Sequence, residues 1–135
     1  MSAMASPDKL SFVVFSGDYG RVHYALVMAS AAAAIDKAVT LFFTMDGART
    51  LLAKGAPGAP DWSGEEAANA AMGIATIEEM LAACLELGVV FMACDMGLKA
   101  CGIDRANLRT DIDVGHGGAA AFIRDASRHG TILFV

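Results

Sequence analysis

The sequence predicts a three-layer α/β/α sandwich built on a mostly parallel sheet of about five strands. Three observations predict it. Short, uninterrupted apolar runs recur along the chain, as they do in strands buried on both faces. Helical segments alternate with these runs, the order of an α/β domain. The chain has 135 residues, the size of one ordinary domain and enough to bury a core without disulfide staples.

The elements follow in order. Residues 1–9 read as an N-terminal tail and 10–135 as one domain. Residues 10–15 (LSFVVF) form a buried strand, closed by Ser16-Gly17-Asp18. Residues 21–35 are Ala-rich, without Pro or Gly, and read as a helix. A second strand covers 38–44 (AVTLFFT), followed by a turn at Met45-Asp46-Gly47 and a short helix over 48–54. Residues 55–64 (GAPGAPDWSG) carry two Pro and three Gly and read as a loop. Its length and its Trp62 suggest a lid or a subunit contact. Thr76 followed by Glu79 is a capping box, and Ile77, Met80, Leu81, Cys84 and Leu85 give that helix one apolar stripe. Gly88 stops it. Residues 89–93 (VVFMA) are a third strand running into Cys94-Asp95-Met96-Gly97, and 98–101 a short helical piece. A fourth strand is expected over 110–114, a turn at Gly115-His116-Gly117-Gly118, a helix over 119–128 and a last strand over 131–135 (TILFV).

Composition narrows the function. The net charge is −5, and no cluster of Lys or Arg supplies the basic footprint that nucleic-acid binding requires. Apolar residues make up 56%, but 27 of them are Ala, so the high mean hydropathy does not signal a membrane. The longest weakly polar run, 25–35, is about half the roughly 20 residues of a spanning helix. Residues 1–9 lack a basic region followed by an apolar stretch. Three Cys, an odd number, point to reduced thiols in the cytoplasm rather than a disulfide framework.

Parallel strands bring their C-terminal ends to one edge, where ligands of open α/β sheets bind. Four loops gather there: residues 17–20, 44–47, 94–97 and 115–118. Cys94 leaves a buried strand and opens a helical segment, a position that favours a thiolate; the plain alternative is a buried structural thiol. Asp95 beside it works against a very low thiol pKa. His116 reads either as a neighbour of Cys94 or as a solvated loop residue. Asp18 and Asp46 read as helix caps, and Gly17-x-x-Gly20 as a tight turn, too short for a nucleotide fingerprint. Cys84 reads as core, and Cys101 as packing rather than a second active thiol. Cys94 and Cys101 lack zinc-ligand spacing. No metal or cofactor is expected.

Four stretches, Phe15-Ser16-Gly17-Asp18 with the Ala-rich helix, Leu41-Phe42-Phe43-Thr44 with Gly47, Phe91-Met92-Ala93-Cys94-Asp95-Met96 leading to Gly102-Ile103, and Val114-Gly115 through Phe122 to Thr131-Ile132-Leu133-Phe134, span nearly the whole chain. In this order they resemble the DsrE/DsrF/DsrH-like family, and more closely its DsrE-like, peroxiredoxin-like branch. The resemblance implies a sulfur-relay protein whose reactive Cys after the third strand is Cys94. It implies sulfane sulfur held as a persulfide, exchange with a sulfur-carrier protein or a low-molecular-weight persulfide, and a homotrimer or homohexamer. The chain departs from the branch at Met45-Asp46 and at Cys101. The catalytic residue expected is Cys94, with Gly17, Asp18, Asp46, Asp95, Met96 and His116 around the site. The competing reading is a non-catalytic module that binds a small molecule or nucleotide at the same edge.

Overall fold

The computed structural model describes residues 8–126 and 130–135. Five strands form one sheet: β1 (Lys9–Val14), β2 (Ala38–Phe43), β3 (Val90–Cys94), β4 (Val114–Gly117) and β5 (Gly130–Phe134). Their order is β4-β3-β2-β1-β5, and every pairing is parallel. Five helices join them: α1 (Tyr19–Ala34), α2 (Ser63–Ala71), α3 (Ile77–Glu86), α4 (Asp95–Ala100) and α5 (Ala119–Ala126).

Connection chirality decides which face each helix covers. From β1 to β4 the chain steps in one direction across the sheet. Right-handed crossovers therefore lay α1, α3 and α4 on one face. The step from β4 to β5 runs the opposite way and lays α5 on the other. Strand alternation divides the core to match. Phe12, Val14, Leu41, Phe43, Phe91 and Ala93 join Leu26, Ala29, Leu81 and Leu98 in the main core. Phe42 and Cys94 pack with Phe122 and Ala126 of α5 in a second, smaller cluster, flanked by Val13 and Met92.

Local signals account for the helix boundaries. Asp18 caps α1, its carboxylate accepting from Arg21 N at 3.1 Å, so the helix begins two residues before the expected start. Thr76 and Glu79 form the expected capping box on α3. Asp46 is not a helix cap: the segment Met45–Leu51 is 3-10 helix with Thr44 at its N-cap, and Asp46 pairs instead with Arg49, 3.2 Å away.

Three further expectations are corrected. The expected loop over 55–64 ends in α2, which begins at Ser63, anchored by Asp61 accepting from Ser63 N at 3.1 Å. This helix has no buried residue, hence no apolar stripe to reveal it. The fourth strand lies at Val114–Gly117 rather than 110–114, so His116 sits in a strand and not in a turn. Its glycines read as a turn, but pairing with β3 on one side overrides that preference. The chain before it is held irregular by Arg109, whose N–H reaches Leu51 O at 2.8 Å and whose guanidinium bonds Glu78 and Asp111. Residues 1–7 of the expected tail, and 127–128 of the expected last helix, lie outside the described residues.

Candidate functional site around Cys94

Cys94 ends β3 and is the N-cap of α4, its Sγ accepting from Gly97 N–H at 3.4 Å. The sequence places it at the mouth of the domain; the structure places it under a cover. It is 3% exposed, because alternation along β3 turns its side chain toward α5. Phe122 of that helix stacks on Phe42 with ring centroids 4.5 Å apart, and Asp125 ties the helix to the sheet through Lys9 at 2.9 Å and Thr40 at 3.0 Å. Gly97 seats the first turn of α4 against the chain leaving β2: a methyl group there would overlap Thr44 Oγ1 and crowd Met45 N. It is a close-packing residue rather than an opening over the thiol.

The residues after Cys94 face solvent. Met96 is exposed, and so is Asp95. An arginine and a histidine side chain approach one oxygen of Asp95, Arg105 Nη2 at 3.9 Å and His116 Nδ1 at 3.8 Å. The register sets His116 opposite Ala93 and Gly117 opposite Cys94. His116 therefore projects from the sheet face opposite to that of Cys94, and its contact is with Asp95 rather than the thiol.

Gly17, Asp18 and Asp46 come together away from Cys94, at the ends of β1 and β2. With Phe15, Ser16 and Arg49 they line a cleft of about 530 Å³. The two loops are in close contact: a methyl at Gly17 would lie 3.0 Å from Asp46 Cβ. The sequence reading missed Arg49; its only signal was the three-residue spacing from Asp46. Arg49 also reaches the Cys101 carbonyl at 3.4 Å, and the half-buried Cys101 thiol lies 4.0 Å from Asp46 Oδ1. A second cleft, about 640 Å³, opens near Trp62, Thr50 and Arg109. Trp62 packs edge-on against Tyr19 at 5.5 Å, which makes it an internal anchor. Tyr19 in turn donates to Glu66, a carboxylate that accepts from Ile77 N at 2.8 Å. Among the described residues no group of three His, Cys, Asp or Glu side chains is placed to hold a metal ion, and no helix is long and apolar enough to cross a membrane.

Comparison with known proteins covers the same span. The chain is 29% identical to the uncharacterized protein YrkE of Bacillus subtilis (strain 168), across 94% of this chain and 96% of that one. Its fold is similar to that of MTH1491 from Methanobacterium thermoautotrophicum, a protein of unknown function, with a TM-score of 0.63 at 18% identity, covering 95% of this chain and 99% of that one. It is also similar to the ychN protein from E. coli, with a TM-score of 0.61 at 17% identity and the same coverage. The family model described as DsrE/DsrF-like matches residues 8–133, from the start of β1 to the last strand. On that match, the chain belongs to the DsrE/DsrF-like family, a family of the sulfur-relay type.

Proposed function

We propose that this protein takes up sulfane sulfur as a persulfide on Cys94 and passes it to a partner thiol, on a small sulfur-carrier protein or a low-molecular-weight compound. Family membership supports the sulfur-relay setting. The observation that carries the residue assignment is the placement of Cys94, at the C-terminal end of β3 with the Gly97 N–H already aimed at its sulfur. In the exchange, the Cys94 thiolate attacks the sulfane sulfur of the donor. The donor's S–S bond breaks, and its leaving group departs with the electron pair. A second exchange hands the outer sulfur to the acceptor thiolate and regenerates Cys94. The cover over Cys94 makes movement of α5 part of this cycle. Three free cysteines fit a reducing, cytoplasmic setting. A homotrimer or homohexamer fits the apolar side chains left exposed on the α5 face.

Mass spectrometry after incubation with a sulfane donor tests the assignment. Wild type is expected to gain 1 sulfur atom on Cys94, by the stoichiometry of one exchange, and Cys94→Ser to gain none while Cys101→Ser still loads. Loading of Cys94→Ser at the wild-type rate would refute it. The cleft at Gly17, Asp18, Asp46 and Arg49 favours a second reading, a module that binds a small molecule at the sheet edge. Two carboxylates beside one guanidinium disfavour a phosphate there. A ligand-induced thermal shift with no sulfur loading would favour that reading.

A further inference from the structure

The second cleft, about 640 Å³, is bordered by the loop after Leu52, the first turns of α2 and α3, and residues 109–111. Backbone hydrogen bonds hold its shape. Its two sides are tied together by Ala53 N–H donating to Asn107 O and Arg109 N–H to Leu51 O, both at 2.8 Å. Two successive turns set the loop, Ala56 N–H donating to Ala53 O and Ala59 N–H to Ala56 O, each at 3.0 Å. Trp62 stands half-buried in the wall, held by Tyr19, and Leu52, Ala59 and Pro60 add apolar lining. Thr50 belongs to the same wall. It is 5% exposed, and its hydroxyl makes no hydrogen bond, whereas buried hydroxyls are normally satisfied. A pre-formed cleft of this volume, with an aromatic wall and a few polar groups, has the make-up of a small-molecule site.

Charge decides what such a molecule carries. Four carboxylates, on Asp61, Glu66, Glu78 and Asp111, line the cleft against three cationic side chains, Arg49, Lys54 and Arg109. Arg109 is saturated by Glu78 and Asp111. Arg49 is paired with Asp46 and reaches the carbonyls of Gly58 and Cys101. Asp61 accepts from Ser63, and Glu66 from Tyr19 and Ile77; among the described residues neither has a cationic partner. The first N–H groups of α3, which would otherwise draw an anion, are filled by Glu66 and Thr76. That leaves the exposed Lys54 alone to favour one. We propose that this cleft binds a small organic cation, a protonated amine on a flat apolar body, with the body against Trp62 and the amine toward Asp61. The indole attracts a cation, and the excess of negative charge disfavours a phosphate or carboxylate. The site is separate from Cys94 and does not rest on the persulfide reading.

Trp62 is the only tryptophan of the chain, so its fluorescence reports on this cleft directly. Titration with benzylammonium is expected to give a saturable change, in wild type and in Cys94→Ser alike. Benzyl alcohol is expected to bind more weakly, and phenylacetate not at all. Asp61→Asn keeps the acceptor for Ser63 and removes the charge; it is expected to weaken benzylammonium binding roughly threefold to fivefold. Glu86→Gln makes the same change of net charge at the far end of α3 and is expected to leave binding unchanged. By calorimetry, Trp62→Leu is expected to lose roughly tenfold in affinity, and Trp62→Phe to retain most of it. Absence of a saturable change with benzylammonium would overturn the proposal, as would phenylacetate binding as tightly. Equal losses in Asp61→Asn and Glu86→Gln would also overturn it, because the effect would then be one of net charge alone. So would full affinity in Trp62→Leu.

Discussion

Cys84 faces α1 from α3, its thiol donating to Leu26 O at 3.7 Å, and burial pushes its pKa up to about 11. Cys94 is sealed beneath α5, and Cys101 is half-buried at the end of α4. Only a thiolate that a reagent reaches is alkylated. Iodoacetamide at neutral pH is therefore expected to label Cys101 first, Cys94 only as α5 opens, and Cys84 last; peptide mass spectrometry reads the order. Labelling of Cys84 ahead of the others would contradict its placement. The apolar stripe made the burial of Cys84 legible in the sequence. The cover on Cys94 was not legible, because it depends on which face the last crossover takes. Tyr19 offers a pH test. Desolvation, then its bond to Glu66, raises its pKa from 10.0 to about 12. The unfolded chain releases this proton first, so the contribution of Tyr19 is complete below pH 10 and is lost as pH rises toward 12. Absorbance titration is expected to show a tyrosinate appearing near pH 12 that Tyr19→Phe removes, together with part of the alkaline fall in stability.

Strands β1, β2 and β3 were legible as apolar runs because both of their faces are largely covered, so each reads as continuous; β5 was legible as an apolar run although most of its residues are exposed. The α3 capping box was legible because two side chains three apart satisfy two orphan N–H groups. Helix α2 was not, since it buries nothing and is fixed from outside, by Glu66 bonding Tyr19 and the first turn of α3. Strand β4 was not, since its two glycines have no side chains to pack and the strand is defined by its partner. Helix α5 has 8 residues, too few to be stable without tertiary support, and its hold on the sheet is concentrated in Phe122 and Asp125. Phe122→Ala is expected to raise the rate of Cys94 alkylation roughly tenfold or more, equivalent to about 1.4 kcal/mol in opening free energy. The far-ultraviolet circular dichroism should stay close to wild type. An unchanged alkylation rate would mean that α5 is not what protects the thiol.

Across the whole molecule the two sheet faces are unequally covered. Among the described residues, three helices pack on one and α5 alone packs on the other. Ile132 and Phe134 pair with Ser11 and Val13 and so lie on the α5 side, where Phe134 is 70% exposed and meets Phe15 in a tilted ring contact, centroids 5.4 Å apart. Val90 is exposed on the same face. Apolar surface of this kind marks an interface, which supports the proposed self-association. Light scattering at micromolar concentration is expected to give a trimer or hexamer, and the double substitution Ile132→Asp with Phe134→Asp a smaller species. A wild-type monomer would count against it. The strand order also fixes a sequence of events in folding. Strand β1 has β2 on one side, nearby in the chain, but its other neighbour is β5, whose pairing joins residue 10 to residue 131. Closing so long a loop carries a large entropic cost before it yields any contact. During synthesis β1 therefore waits with one row of N–H and C=O groups bare, a template for pairing with other chains, until the last strand arrives to cover it.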